Sequence, residues 1–393
     1  MRVLCTTPPM EGAFGPFIAL GRALLEAGHE VLVATGPDLQ GRARAHGFGV
    51  VLAGPAAMEG AVAAMADPAV VAAGAGERWR FPAAMFGGVI APRKLPELRA
   101  VADRYAPDLV VHPPVELAGP LLAAERGLPS VTYGFAQPLE APVVAGMAER
   151  VAPLWTTAGL EPDPHAGLYR GRYLDPSPPG LRAGRGAAEP VAEPIRPEIP
   201  GDPAAALPGW AASLGERPVV LVSLGTVPLF NQPTAFAALL DGLAGEDVDV
   251  VVTVGELNDP AALGETAANV HVERWLPLAP LLRRCAAVVC HAGSGTTLAG
   301  LTAGLPLVLV PKGADQHVNA AACRRAGAAR TIAPADVTAE AVRTAVRAIL
   351  APDAPERGAA QRLAAEIAAM PPAAQVAAGL EWLVTGQFLN SGG

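Results

Sequence analysis

Cysteine is scarce in this chain of 393 residues, with only Cys5, Cys285, Cys290 and Cys323. Four thiols so widely spread form neither a disulfide framework nor a zinc knuckle. Cys285 and Cys290 sit inside apolar runs, where core packing is the expected role. No apolar run approaches the roughly 20 residues of a membrane helix. The opening MRVLCTTPP has one arginine and no stretch long enough for a signal sequence. Lysine and arginine (29) are outnumbered by aspartate and glutamate (37), for a formal net charge of −8. That excess argues against nucleic acid or an anionic membrane as the main partner. Anionic small molecules stay open, because local geometry rather than net charge meets them. A soluble, cytoplasmic protein is expected, monomer or homodimer, with no nucleic-acid and no membrane partner.

What is abundant is apolar surface. Hydrophobic residues make up 51% and charged residues 17%, which excludes an intrinsically disordered chain, and the length points to about two domains. Val3–Thr6 reads as a buried strand and Pro16–Ala27 as a helix with Phe17, Leu20, Leu24 and Leu25 on one face. Gly28 is placed to end that helix, and His29–Thr35 reads as the next strand. Strand, helix, strand at this spacing is a βαβ unit of a parallel sheet. The pattern recurs in Pro218–Leu224, a helix near Thr234–Leu243, and Val248–Val254. Between the halves, residues 175–209 hold nine prolines, which fits an extended linker or a long loop packed on the first half. Glu356–Val384 reads as helical with a break at Pro371-Pro372.

The most informative stretch is Ala286–Thr297, AAVVCHAGSGTT. A buried strand runs into a small-residue turn and then a helix starting near Thr296. Free N–H groups and the positive end of the dipole make such a helix start a phosphate site. Gly293 and Gly295 let backbone come close, Ser294, Thr296 and Thr297 add hydroxyls, and His291 can donate to a phosphate oxygen. The same shape also occurs as a strand-to-helix turn that binds nothing. It is neither a Walker loop nor a GxGxxG fingerprint. Upstream lies ERWLPLAPLL (Glu273–Leu282), whose Trp275 at a strand end offers a stacking platform for a base. Downstream lies PKGADQHVNA (Pro311–Ala320), with Asp315 and Gln316 just past a strand, where open α/β sheets place ligand-binding groups. Together these describe one ligand with a base, a diphosphate and a polyhydroxyl group.

With these segments in view the chain resembles GT-B fold glycosyltransferases of the UDP-glycosyltransferase-like group, close to the bacterial antibiotic-tailoring members such as the calicheamicin and macrolide transferases. The resemblance implies an α/β protein with two Rossmann-like domains facing across a cleft. It implies an acceptor domain over 1–205 ending in the Pro-rich linker, a nucleotide-sugar domain over 206–372, and a C-terminal helix over 373–393 returning to the first domain. By matching positions, Trp275 stacks on the base and the Leu276 backbone pairs with it. His291, Gly293, Ser294, Gly295 and Thr296 hold the diphosphate, Asp315 and Gln316 the sugar, and the Ser223-Leu-Gly225-Thr226 turn is a second phosphate-facing loop. Leu278 stands where many relatives carry glutamine. The implied reaction is inverting and metal-free, with no cofactor beyond a dTDP- or UDP-sugar co-substrate and with a hydrophobic small-molecule acceptor. Asp247-Val248-Asp249 has the form of a metal-binding DxD, but it precedes a strand and reads as a solvated turn.

The base is the anomaly. In many relatives a histidine in the loop after the first strand takes the acceptor's proton; here that position is Ala13, between Gly12 and Phe14-Gly15-Pro16. Three explanations are open. The residue is an engineered histidine-to-alanine change; or the acceptor is acidic enough, or Glu11, His112 or Glu116 substitutes; or the protein binds nucleotide sugar without chemistry, as a pseudoenzyme or a partner of another transferase. A nucleotide-sugar epimerase fits less well with an apolar first domain. Residues 56–100 and 135–175 are the expected acceptor region, with Met58, Met65, Trp79, Phe81, Met85 and Phe86 as apolar lining and Phe14 and Glu116 as further contacts, Glu116 reading equally as a residue that caps or orients the helix after it.

Overall fold

The computed structural model describes residues 1–182, 192–202, 204–214, 216–227 and 230–385. Two α/β units emerge, and of the described residues the first takes 1–176, 192–195 and 371–385, the second the rest up to 370.

Unit 1 is built on seven strands: β1 (Arg2–Thr6), β2 (Glu30–Thr35), β3 (Gly49–Leu52), β4 (Leu109–His112), β5 (Ser130–Tyr133), β6 (Arg172–Asp175) and β7 (Ala192–Pro194). They pair in the order β3-β2-β1-β4-β5-β6-β7, all parallel. Helices α1 (Glu11–Phe14), α2 (Phe17–Glu26), α3 (Ala57–Met65), α4 (Ala91–Tyr105), α5 (Ala118–Arg126) and α6 (Ala141–Thr157) cover it. The strands are apolar on both faces because helices bury both. Val3 and Cys5 join Phe17, Leu20 and Leu24 of α2 in one core, while Leu4 joins Leu95, Leu121 and Met147 in the other. Gly28, at φ +83, closes α2 as the sequence predicts. Gly119 brings α5 down onto the sheet, since a Cβ there would lie 2.5 Å from Thr6 Cγ2. Ahead of α4 the chain widens into a π-helical stretch, Ala83–Ile90.

Unit 2 comprises β8 (Val219–Ser223), α7 (Ala237–Leu243), β9 (Asp249–Thr253), β10 (Val270–Glu273), β11 (Cys285–Cys290), α8 (Ser294–Thr302), β12 (Leu307–Leu309), α9 (Gln316–Arg325), β13 (Ala329–Thr331), α10 (Ala339–Leu350) and α11 (Pro355–Ala369). Its strands are again all parallel, in the order β10-β9-β8-β11-β12-β13. After Pro371-Pro372 the chain continues as α12 (Ala373–Thr385) in unit 1, where Ala373, Ala377 and Leu380 enter the core beside α2 and Glu381 lies 2.8 Å from His29. Residues 386–393 of the expected C-terminal helix lie outside the described residues.

The described residues of the Pro-rich stretch 175–209 are divided between the two units. Its Ala192–Pro194 is the edge strand β7, the place in a sheet that tolerates proline, and its Gly180 N–H donates to Glu366 of α11 at 2.6 Å. Residues 183–191 and 203 of it lie outside the described residues.

In each sheet the strand order reverses once, between β1 and β4 in unit 1 and between β8 and β11 in unit 2. At such a switch point the loops leaving the carboxyl ends part and open a crevice, the usual ligand site of an open α/β sheet. The turn after β1 carries Glu11 and Ala13, and that after β4 carries Glu116. The turn after β8 carries Gly225 and Thr226, and that after β11 carries His291 to Ser294.

Candidate functional site

In unit 2 the centre of the switch point is the His291 ring. A Cβ on Gly225 would fall 2.6 Å from its Cε1, and a Cβ on Gly293 would fall 2.3 Å from its Nε2. The two glycines, one from each loop, are therefore what makes room for the imidazole. Gly225 also has φ +79, which disfavours any side chain there. Burial pushes His291 down to about 4, with the Asp315 charge acting against that shift. The ring is neutral at pH 7, so it meets an anion as an N–H donor, not as a cation.

Gly293 is the N-cap of α8, and Ser294, Gly295 and Thr296 are its first turn, whose N–H groups point out of the helix end. Two alanines nearby hold left-handed backbone, Ala292 at φ 67 and Ala314 at φ 52. Such strain persists where surrounding bonds over-determine it, and the bonds are there. Ser294 Oγ donates to Asp315 Oδ2 at 2.6 Å, and Asn319 Nδ2 lies 2.8 Å from that oxygen, 2.9 Å from the Ala292 carbonyl and 3.2 Å from Ser294 Oγ. This network fastens the turn after β11 to the start of α9.

Several expectations change on contact with this geometry. The Ser294 hydroxyl donates within the protein, so the residue offers a ligand its backbone N–H. Thr297 is fully buried and adds no hydroxyl donor. Gln316 is 2% exposed, and its Oε1 accepts from the Lys312 and Gly313 N–H groups at 2.7 and 3.1 Å. It shapes the loop before α9 and is not presented to a sugar. Asp315 remains half-buried with one oxygen engaged. Ser223 ends β8, buried, and accepts from Thr253 Oγ1 at 2.9 Å, while Thr226 is exposed. Trp275, 46% exposed, and the buried Leu276 follow β10. From β10 across β9 and β8 to β11 is three strand spacings, about 14 Å, on the order of the length of a nucleoside diphosphate. Asp249 of the DxD-like triplet is buried at the start of β9 and paired with Arg217, while Asp247 is exposed. Both stand at the amino edge, opposite the crevice. Cys285 and Cys290 are free thiols raised by burial to about 12 and about 11, as expected of packing residues.

Two clamping amides and a lysine were not singled out from the sequence. Asn319 is described above. Asn231 Nδ2 donates to the Gly225 and Val254 carbonyls at 2.8 and 3.1 Å and so pins the other loop. Lys312, lowered by burial, donates to the Phe230 carbonyl at 3.0 Å beside the same crevice. No spacing rule reveals residues that act by gripping backbone carbonyls.

In unit 1 the switch point is occupied differently. Lys94 of α4 is fully buried, and its Nζ donates to the Thr7 carbonyl (2.7 Å), the Ala34 carbonyl (3.2 Å) and Glu116 Oε2 (2.7 Å). The other Glu116 oxygen accepts the Ala118 N–H at 3.1 Å, at the start of α5. Glu116 thus orients α5 and ties β1, β2 and β4 together; being 0% exposed, it does not contact an acceptor. His112 is likewise buried, with Nδ1 3.2 Å from the Pro113 carbonyl and its pKa pushed down to about 4 by burial. It cannot reach an acceptor hydroxyl. Phe14, expected at the acceptor, is core, edge-on to Phe48 and tilted against Phe17. Met85 and Phe86 are buried in the second core cluster as well, in the π-helical stretch, whereas Trp79 and Phe81 are half-buried against it. A long apolar helical segment packs both ways, and the sequence alone does not say which residues turn inward. Glu11 is half-buried and 3.4 Å from Arg42; Ala13 is 6% exposed. Met58, Val62 and Met65 lie exposed at i, i+4 and i+7 on α3.

The two buried histidines give the stability a pH dependence. Below about pH 6.5 the unfolded chain takes a proton at each that the folded chain refuses down to about 4. Stability is therefore complete above pH 6.5 and falls as the pH drops, by about 2 kcal/mol per histidine at pH 5. Melting His112→Gln at pH 7 and pH 5 is expected to show a smaller difference than the parent protein; an equal difference would mean that His112 is not the buried neutral group described.

The N-terminal domain model of erythromycin biosynthesis protein CIII-like proteins matches residues 22–225, and the corresponding C-terminal domain model matches 237–383. The chain is 34% identical to L-demethylnoviosyl transferase of Streptomyces niveus and 35% identical to the elloramycin glycosyltransferase of Streptomyces olivaceus, each over 97% of both chains. Among solved structures, a spinosyn rhamnosyltransferase complexed with thymidine diphosphate superposes with a TM-score of 0.80 at 27% identity, covering 97% of this chain and 100% of that one. The same enzyme complexed with spinosyn aglycone gives 0.82 at 26% identity, with the same coverage.

Proposed function

The chain belongs to the erythromycin biosynthesis protein CIII-like family of glycosyltransferases, and from that premise we propose that unit 2 holds a dTDP-sugar and unit 1 a hydrophobic natural-product acceptor. The observation that carries the donor half is the His291 ring seated between Gly225 and Gly293 at the amino end of α8, with Trp275 on the same sheet edge. Donor N–H groups fixed in advance stabilise the charge that builds on a departing diphosphate. Thymidine diphosphate in the spinosyn rhamnosyltransferase favours dTDP over UDP.

Transfer is a single displacement. An acceptor oxygen bonds to the anomeric carbon as the bond from that carbon to the phosphate oxygen breaks, and the electron pair leaves on the diphosphate. The anomeric centre inverts, and no metal is required. In unit 2 the His291 N–H and the first-turn N–H groups of α8 receive the diphosphate, and the remaining Asp315 oxygen is available to sugar hydroxyls. The aglycone complex of the same neighbour favours a small-molecule acceptor here, and half-buried Trp79 and Phe81 with exposed Met58 and Met65 offer an acceptor apolar surface.

Incubation with dTDP-sugars and polycyclic or macrocyclic aglycones should release dTDP and add one sugar mass to the acceptor with inverted configuration. Retention of configuration would contradict the single displacement. Trp275→Ala is expected to weaken dTDP binding by about 5- to 150-fold, the usual worth of a base stacked on an aromatic ring. Unchanged affinity in that variant would remove Trp275 from the base site.

A further inference from the structure

Arginine serves nearly everywhere that this chain needs a cation: of its 29 basic residues, 27 are arginine and only Lys94 and Lys312 are lysine. An ammonium is a compact point charge with three donors, unlike the flat guanidinium fork. Lys94 spends all three donors inside unit 1, on Thr7, Ala34 and Glu116. Among the described residues Lys312 spends one, on the Phe230 carbonyl at 3.0 Å, and pairs with no carboxylate.

Its place is the carboxyl edge of the unit 2 sheet. Lys312 belongs to the turn after β12 and Phe230 to the turn after β8, and β11 lies between those two strands. The side chain therefore joins the turns on either side of the one that carries His291 to Ser294. Its backbone is held as well. The Lys312 and Gly313 N–H groups both donate to Gln316 Oε1, and a Cβ on Gly313 would lie 3.1 Å from the Phe230 ring. The Lys312 charge is felt at the His291 ring, where it opposes protonation and helps keep the imidazole a neutral donor.

The remaining turns of this edge bring little positive charge. By sequence, those after β8, β9, β11 and β13 contain no lysine or arginine, and Arg274 after β10 is paired with Asp259 at 3.2 Å. A nucleoside diphosphate is a multiply charged anion, and a neutral imidazole with helix-end N–H groups offers it only partial charge. Position along the sheet says which phosphate the lysine meets. Trp275 follows β10, Gly225 follows β8, His291 follows β11 and Lys312 follows β12. One strand spacing past His291, about 5 Å, lies the end of the diphosphate remote from the base.

We propose that Lys312 binds the distal, sugar-bearing phosphate of the nucleotide as its counter-charge, and so makes the site select a diphosphate over a monophosphate. The inference rests on the donor half of the reading above. No proton is transferred: the ammonium keeps all three, one stays on the Phe230 carbonyl, and another turns to a distal phosphate oxygen. When the bond from the anomeric carbon to that phosphate breaks, the electron pair departs onto a group already held by a cation.

The test titrates dTDP and dTMP into the full chain and into Lys312→Met and Lys312→Arg. Lys312→Met should weaken dTDP roughly 10- to 150-fold, the usual worth of a hydrogen bond to a charged group. It should leave dTMP within about threefold, because the monophosphate ends before the lysine. Lys312→Arg keeps the charge and should recover part of the dTDP affinity. Lys312→Met that binds dTDP within threefold of the parent overturns the inference and leaves the donor site standing. An equal loss for dTDP and dTMP does the same, because it makes the lysine a tie between loops. A parent chain that binds neither nucleotide takes down the donor reading and this inference with it. Should the methionine variant not fold, the parent answers alone. Labelled with carbon-13 lysine, it gives one Cε signal for each of its two lysines, and Lys312→Arg identifies which is which. Saturating dTDP should move the Lys312 signal more than dTMP does and leave the Lys94 signal in place. A Lys312 signal that dTDP does not move overturns the proposal.

Discussion

Gly293→Ala should cost nucleotide binding and turnover at least about 10²-fold while the protein still folds. The backbone at Gly293 has φ −65° and ψ 144°, values an alanine adopts freely. Only the methyl group is new, and it would arrive 2.3 Å from His291 Nε2 and 2.8 Å from Cε1. The ring has no retreat on its other side, where the Gly225 backbone lies so close that a Cβ there would sit 2.6 Å from Cε1. The imidazole must therefore leave the position where its N–H and the first turn of α8 converge. Loss of one preorganised donor to a developing anion typically costs 10² to 10³ in rate. Calorimetry with dTDP and initial rates at saturating acceptor give the two numbers. A variant within threefold of the parent in both would show that His291 is not part of the diphosphate site.

Lys94→Met should lower stability by about 3 to 5 kcal/mol, because it leaves the Glu116 carboxylate buried without its cation. At about 2 to 4 °C per kcal/mol for a domain of this size, the melting temperature should fall by roughly 10 °C or more. Adding Glu116→Gln removes the stranded charge, and the double variant should recover much of the loss, since an apolar or neutral replacement of a whole buried pair is often tolerated. The Lys94 ammonium uses all three protons, on Thr7, Ala34 and Glu116, and by doing so fixes the carboxyl ends of β1 and β2 against the turn after β4. Thermal unfolding of the two variants side by side decides it. A double variant as unstable as the single one would mean that packing, not the pair, holds this corner.

The architecture was largely legible because parallel strands buried on both faces announce themselves as apolar runs. Val3–Thr6, His29–Thr35, Pro218–Leu224, Val248–Val254 and AAVVC each contain an observed strand or fall within a residue or two of one. The break at Pro371-Pro372 falls between α11 and α12 because proline cannot continue the first helix. The turn after β11 was legible for the same kind of reason: small residues between a buried strand and a helix mark a close approach, and Gly293 and Gly225 prove to be the two positions where a Cβ meets His291.

What sequence did not disclose is which polar side chain faces a ligand and which serves the protein. Gln316 stands at the right edge of the right sheet, yet its carbonyl is spent on the Lys312 and Gly313 N–H groups; Glu116 orients the following helix, one of its two sequence readings, while its bond to Lys94 had no signal. Phe14 has the sequence position of an acceptor contact, and its ring is swallowed by Phe17 and Phe48. Lys94 lies within a helix of mixed charge, where nothing in its neighbours foretells a fully buried ammonium. Burial and hydrogen-bond partnership are properties of the packed chain and have no local signature.

The most direct test of the account is a calorimetric titration of the parent protein with dTDP and, separately, UDP. Micromolar binding of dTDP at one site per chain, tighter than UDP, is the predicted result. No heat from either nucleotide at millimolar concentration would contradict the assignment of the β8/β11 switch point as a nucleotide site, and the proposed donor half would fall with it.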